Sequence, residues 1–186
     1  MPRSPHHDGR RREAEAIARL DRIREPLFRE LEALLENPRY YRGNEPHLCC
    51  LRERNQMRIS PLEARAIALA FRRDPVLRAK LPVVLRRLRA ELARIKDTTE
   101  RQGFDCPLLE GTRCLVHQVA KPIGCTAWHP GRDFTRAGWT AFAERDKLND
   151  ELHGPDWQLR VIPLWLERVL AGELRSQPTM SPRNSG

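Results

Sequence analysis

Apolar positions in the first part of the chain recur with a helical period. Between Arg11 and Glu36 they return at steps of three and four residues, at Ile17, Leu20, Leu27, Leu31, Leu34 and Leu35. This spacing places them on one face of a helix. Pro26 lies inside the stretch and is expected to kink the helix or divide it, because proline lacks an N–H and crowds the preceding turn. Residues 1–10 hold few apolar side chains and are predicted to be disordered.

Helix-start signals follow in the middle of the chain. The tetrapeptide SPLE, which begins at Ser60, combines a capping serine, a proline in the first turn and a glutamate three residues after the cap. It predicts a helix over 61–72. Asp74 and the proline after it repeat the signal for a segment to about residue 81. The proline at position 82 is predicted to open a further helix over 82–100.

The last third of the chain is also predicted to be mainly helical. Apolar anchors at Trp139, Phe142 and Leu148 predict a helix over 135–152. Residues 157–174 form a final apolar helical stretch that Pro163 should interrupt. The stretch MRIS at 57–60 is predicted to be extended, and residues 176–186 are predicted to be a disordered tail.

These patterns predict an all-α protein: one small helical domain over 11–175 with a loop-rich centre. At 186 residues the chain fits a single domain, and 40% hydrophobic residues are enough for a core. No apolar run approaches the twenty residues of a membrane span. The basic N-terminus lacks the apolar segment of a secretory signal. The expected location is therefore the cytoplasm.

The chain has five cysteines, which are Cys49, Cys50, Cys106, Cys114 and Cys125. In a reducing compartment clustered cysteines bind metal or perform redox chemistry more often than they form disulfides. Their odd number excludes complete internal pairing. The stretch 103–131 around the last three is rich in proline and glycine. A bound metal would stabilise such a stretch, because its binding free energy becomes folding free energy.

Zinc and iron–sulfur clusters both need four ligands, most often thiolates or imidazoles. The segment from Cys106 to Cys125 supplies three thiols, and the doublet Cys49-Cys50 supplies the fourth. Only one thiol of the doublet should face the metal if the backbone there is extended, because adjacent side chains then point apart. Which of the two it is stays open.

The cysteines belong to a longer ordered pattern. The doublet is followed by ISPLE at 59–63, then by CPL from Cys106, CLVH from Cys114, and KP shortly before Cys125. Over roughly residues 44–130 this order resembles the YkgJ family of cysteine-cluster proteins, which are described as zinc- or iron-chelating domains. The resemblance implies that the doublet and the three later cysteines are metal ligands.

The chain departs from the family pattern at several positions. Gly43 and Pro46 stand where the fullest pattern has two further cysteines. His117 replaces a frequent tyrosine, and Thr126 replaces an arginine after the last cysteine. His117 lies three residues after Cys114, so on a helical turn it could face the metal, although a packing role is favoured. His129 is a similar candidate and His47 a weaker one.

The net charge of +9 adds a further hypothesis. Thirty of the 34 basic residues are arginines, and such a charge can attract nucleic acid or an acidic protein partner. No basic run is interleaved with aromatic residues as in nucleic-acid modules. Three hypotheses therefore remain: a metal-binding protein with one zinc or iron centre, an iron–sulfur redox enzyme or electron carrier, and a basic adaptor with a structural metal. Catalysis is left open.

Overall fold

The structure is a computed structural model that describes residues 5–36, 47–95, 103–128 and 135–175. Within these ranges the chain is mostly helical, as the sequence predicted. The α-helices are α1 (Pro5–Leu35), α2 (Pro61–Arg73), α3 (Pro75–Arg94), α4 (Ile123–Ala127), α5 (Arg136–His153) and α6 (Ile162–Arg175). The strands are β1 (Arg58–Ile59), β2 (Leu109–Glu110), β3 (Arg113–Cys114) and β4 (Arg160–Val161). β1 pairs with β4 and β2 with β3, both antiparallel.

Helix α2 lies at the centre and contributes to two apolar cores. Ile67 and Phe71 belong to the core that α2 shares with α3, α6 and the cysteine-rich segment. Leu62 and Ala66 belong to a second core shared with α1, α4 and α5. A helix rich in alanine suits this place, because small side chains let neighbouring helices approach on several sides. The cysteine-rich segment is thereby packed against a helical scaffold.

The start of α2 agrees with the predicted capping signal. The Ser60 side chain accepts a hydrogen bond from the Glu63 N–H, and the Glu63 carboxylate accepts one from the Ser60 N–H. This reciprocal pair satisfies two N–H groups that the first turn of a helix leaves without partners. The N–H of Leu62 is bonded to the side chain of Asn149 on α5.

Two prolines do not divide the helices: the division of α1 at Pro26, one of the two outcomes expected there, and the start of a new helix at Pro82 are both wrong. α1 continues through Pro26, and α3 continues through Pro82 as one helix of 20 residues. An internal proline costs about 3 kcal/mol. Both prolines are exposed, while Leu27 and Leu81 beside them are buried, so packing of the apolar face offsets the local penalty.

The ends of the chain also differ from the prediction. α1 begins at Pro5, so part of the segment predicted to be disordered is helical. Extending an existing helix costs far less than nucleating one, and an acidic residue in the first turn favours the helix dipole. At the other end, α6 begins only at Ile162, and the residues before it form β4, which pairs with the extended piece predicted at 57–60. The predicted tail at 176–186 lies outside the described residues.

The predicted α5 is present, with Thr135 as its cap. The apolar residues that predicted this helix differ in burial, however: Leu148 is buried, whereas the Trp139 side chain is 62% exposed. No helix in the described ranges is both long and apolar enough to cross a membrane.

Candidate metal centre

One cavity of about 700 Å³ brings the cysteines of the chain together. Its wall includes Cys49, Cys50, Cys106, Cys114 and Cys125. They come from a 3-10 helix (Leu48–Cys50), from the loop before β2, from β3 and from α4. None of the five forms a disulfide. Residues far apart in the sequence thus line the same space.

Both cysteines of the doublet face this cavity. The sequence predicted that only one would do so if the backbone were extended, but residues Leu48–Cys50 form a 3-10 helix. The Sγ atoms of Cys49 and Cys50 are 4.0 Å apart. Two thiolates on a tetrahedral zinc lie about 3.8 Å apart, given Zn–S bonds of about 2.3 Å. The two thiols are therefore close enough for either one to reach the same metal, and a four-ligand centre that includes Cys106, Cys114 and Cys125 needs only one of them.

Backbone hydrogen bonds place Cys106 beside the doublet. The N–H of Cys106 donates to the carbonyl of Cys50 at 2.8 Å, and the N–H of Phe104 donates to the carbonyl of Asn55 at 3.1 Å. Cys114 follows in the hairpin of β2 and β3, where Leu109 and Cys114 are register partners. Gly111, with φ of 58°, supplies the left-handed turn that closes this hairpin.

The segment that carries Cys125 is bound to the scaffold by Glu63. One oxygen of the Glu63 carboxylate accepts from the Ile123 N–H at 2.8 Å, and the other accepts from the Ser60 N–H at 2.8 Å. Arg145 of α5 lies 3.7 Å from the same carboxylate. Glu63 is 2% exposed and Arg145 is 3% exposed. A buried, fully hydrogen-bonded carboxylate thus connects α2, α4 and α5 next to the cavity.

A second polar network supports Cys106 from the other side. The Glu91 carboxylate of α3 accepts from the Asp105 N–H at 3.2 Å and from the Arg52 guanidinium at 3.1 Å, and it pairs with Arg94. Arg52 also pairs with the Asp105 carboxylate at 2.6 Å. Because Asp105 precedes Cys106 and Arg52 follows the doublet, these contacts hold both thiol-bearing segments against α3.

The thiols affect one another electrostatically. A hydrogen bond with Cys106 is the largest cause that raises the pKa of Cys50, to about 12. The hydrogen bond with Cys50, followed by burial, raises the pKa of Cys49. Burial raises the pKa of Cys114 and, more strongly, that of Cys125, and the neighbouring thiols add to both effects. These four thiols are therefore protonated at neutral pH.

The donor chemistry of the cavity fits a thiolate-bound metal. Five sulfur donors exceed the four that zinc or an iron–sulfur cluster requires. Within the described residues, however, no group of three or more Cys, His, Asp or Glu side chains is arranged so that it could hold a metal ion. The candidate ligands line one space, and binding of a metal would require their side chains to move toward a common point.

The histidine candidates differ in their surroundings. His117 lines the cavity, but its Nε2 lies 2.8 Å from a Glu32 oxygen and its Nδ1 lies 3.1 Å from the Lys121 Nζ. Both ring nitrogens are therefore engaged away from any metal. Its ring also packs edge-on against Phe28, with centroids 5.3 Å apart. His47 lines the same cavity, and His129 lies outside the described residues.

A glycine permits the close approach on which the position of Cys106 depends. A Cβ atom at Gly103 would overlap the backbone carbonyl oxygen of Arg52. We expect Gly103→Ala to lower the free energy of unfolding by about 1–3 kcal/mol, because neither backbone segment can yield freely. The measurement is urea unfolding, with Gly9→Ala as the control. The α1 glycine has open space around its Cα, so its replacement should leave stability unchanged or slightly raised. Equal effects of the two substitutions would contradict this packing.

A comparison of the chain with models of known protein families, with curated proteins and with solved structures finds no match.

Proposed function

We propose that this chain is a metal-binding protein with one thiolate-bound centre of zinc or iron, the iron either alone or in an iron–sulfur cluster. The ligands come from the set Cys49, Cys50, Cys106, Cys114 and Cys125. The observation that supports this proposal is the gathering of all five cysteines at one cavity. A role as small apolar side chains in the core would not require all five cysteines to line the same cavity.

The surroundings of the cavity support the same proposal. Buried polar contacts through Glu63 and Glu91 fix the segments that carry the cysteines, as expected where ligands need firm placement. We also infer membership of the YkgJ family from the ordered cysteine pattern, together with a reducing cytoplasmic location. No catalytic step is assigned to this centre.

The test is to purify the protein without oxygen and to measure its metal content, acid-labile sulfide and visible spectrum together. Near-stoichiometric zinc in a colourless protein supports a zinc centre. Iron with sulfide and a brown colour that bleaches on reduction supports a cluster, which suits all-sulfur ligation equally well. A chain that carries no metal, and takes up neither Zn²⁺ nor Fe²⁺ when these are supplied under reducing conditions, would overturn the proposal.

Metal binding to this site should release protons. The pKa values of Cys49, Cys50, Cys114 and Cys125 are raised, so these groups are protonated at neutral pH, whereas the metal binds thiolates. We expect about one proton released per thiol ligand, and an affinity for Zn²⁺ that falls as the pH is lowered. Titration calorimetry in buffers of different ionisation enthalpy measures the proton count. An affinity independent of pH between about 6 and 8 would contradict a thiol ligand set.

A basic surface on α3 supports a second candidate function, as an adaptor for nucleic acid. The exposed positions of this helix include Arg78, Arg86 and Arg89, and the one acidic residue of α3, Glu91, is buried. Arginine contacts with phosphates release counterions, so binding should weaken steeply as salt is raised.

The adaptor candidate is tested by fluorescence anisotropy with labelled duplex DNA and with RNA at about 50 and 200 mM salt. Replacing the three α3 arginines with glutamine should weaken binding. A control variant of equal net charge replaces three exposed arginines of α1, namely Arg10, Arg22 and Arg29. Equal losses in both variants would show that net charge alone attracts the nucleic acid, and no binding at low salt would remove this candidate.

A further inference from the structure

A chain of polar contacts runs along one wall of the cysteine cavity. Glu32 extends from α1, His117 from the turn after β3, and Lys121 from the segment before α4. The Glu32 Oε1 atom lies 2.8 Å from the His117 Nε2, and the Lys121 Nζ lies 3.1 Å from the His117 Nδ1. All three residues line the same space as the thiols.

The chemistry of these groups sets the direction of the hydrogen bonds. An ammonium group has donors only, so Lys121 donates to the His117 Nδ1. The imidazole then carries its proton on Nε2 and donates it to the Glu32 carboxylate. The ring is held further by Phe28, which packs edge-on against it. The result is a lysine whose position at the cavity is fixed by two other residues.

Lys121 acts on the thiols as a positive charge. It lines the same cavity as Cys49, Cys114 and Cys125. A fixed cation beside thiols favours their thiolate form. One cation is thus placed to act on cysteines from three separate segments.

We propose that Lys121, held by His117 and Glu32, is the charge-balancing residue of the thiolate centre. This inference rests on the proposed function. Four thiolates around a divalent metal leave a net negative charge in a cavity that is partly shielded from water, and such a charge is costly without a compensating cation. Lys121 does not orient any thiol ligand. Its positive charge lowers the electrostatic free energy that is needed to bring several thiolates together. His117 therefore serves as a support for the lysine and is not itself a metal ligand.

The test compares Lys121→Met, Lys121→Arg and Lys80→Met in their affinity for Co²⁺, measured by competition with a chelator. Loss of a residue that tunes a metal site from outside the ligand set typically costs about 10–100-fold in affinity, and we expect that loss for Lys121→Met. Lys121→Arg should retain most of the wild-type affinity. Lys80 pairs with Glu110 on an exposed surface. Lys80→Met removes the same charge elsewhere on the protein, so this variant should bind Co²⁺ as the wild type does.

Two further readouts separate charge balance from a structural role. The metal-free Lys121→Met protein should melt near the wild-type temperature, and its Co²⁺ spectrum should keep the same sulfur-to-metal bands. Glu32→Gln is a second variant, at a half-exposed side chain. It should also lower the affinity for Co²⁺, but by a smaller factor than Lys121→Met. Unchanged affinity in Lys121→Met, or an arginine variant as weak as the methionine one, overturns the inference. Absence of Co²⁺ binding by the wild type would instead overturn the proposed function.

Discussion

In the proposed metal centre, replacing Cys106 with serine should remove tight metal binding while leaving the metal-free fold largely intact. Cys106 is buried, and its backbone N–H is bonded to the carbonyl of Cys50, so a serine will occupy the same place. Its hydroxyl, however, does not ionise near neutral pH and is a poor ligand for zinc. Structural zinc sites bind with apparent free energies of about 10–16 kcal/mol. An equal share among four ligands is roughly 3 kcal/mol, so the affinity should fall on the order of a hundredfold or more.

The same measurement distinguishes the five cysteines from one another. Competition with a chelator gives the affinity, and urea unfolding with and without metal gives the stabilisation that the metal adds. Serine variants of Cys114 and Cys125 should behave as the Cys106 variant does. A four-ligand centre needs only one thiol of the doublet, so one of Cys49→Ser and Cys50→Ser should bind metal nearly as well as wild type. If every single variant kept wild-type affinity, the thiols would not be the ligands.

Replacing Glu63 with alanine should cost about 2–5 kcal/mol of the free energy of unfolding. The carboxylate accepts hydrogen bonds from the N–H groups of Ser60 and Ile123, and both donors would lose their partner in a buried place. An unsatisfied buried donor costs about 1–3 kcal/mol. Arg145 would keep its bond to Asp146 at 2.8 Å, which limits the further loss. Urea unfolding of the metal-free protein measures the change.

Two comparisons make this prediction specific. Glu63→Gln keeps the size of the side chain and one acceptor oxygen, so it should cost less than alanine. Glu151→Ala removes an exposed partner of Arg19 on the surface and should leave the stability unchanged within error. Because Ile123 stands two residues before Cys125, the alanine variant should also bind metal more weakly. A Glu63→Ala protein as stable as wild type would show that the buried contacts have little energetic weight.

Local signals in the sequence predicted much of the helical architecture. The Ser60 cap and the start of α2 depend on groups within four residues of each other, so they can be identified from the sequence alone. The prolines show the limit of local rules. Pro26 and Pro82 both forbid a hydrogen bond within their own turn, yet both helices continue because Leu27 and Leu81 are buried in the cores.

The surroundings of the thiols could not be predicted in the same way. The cysteine spacing marks the candidate ligands, but the role of His117 depends on Glu32, which lies 85 residues earlier in the chain. The second function of Glu63 depends on Ile123, 60 residues later. A sequence shows that Glu63 can cap a helix; it contains no local sign that the other carboxylate oxygen meets the N–H of a distant segment. The 3-10 helix that turns both thiols of the doublet inward likewise depends on contacts with the Asn55 and Cys106 segments.

The origin of the cavity wall in distant segments has a consequence for how the protein is made. Contacts between residues far apart in sequence form late, because the intervening chain must first close a long loop. During synthesis Cys49 and Cys50 emerge well before Cys125, and their partners do not yet exist. We therefore expect newly made chains to pass through a stage with reduced thiols exposed to oxidants and to competing metals. The speed at which α4 docks on α2 would then decide how many chains reach the native state with all five sulfurs intact.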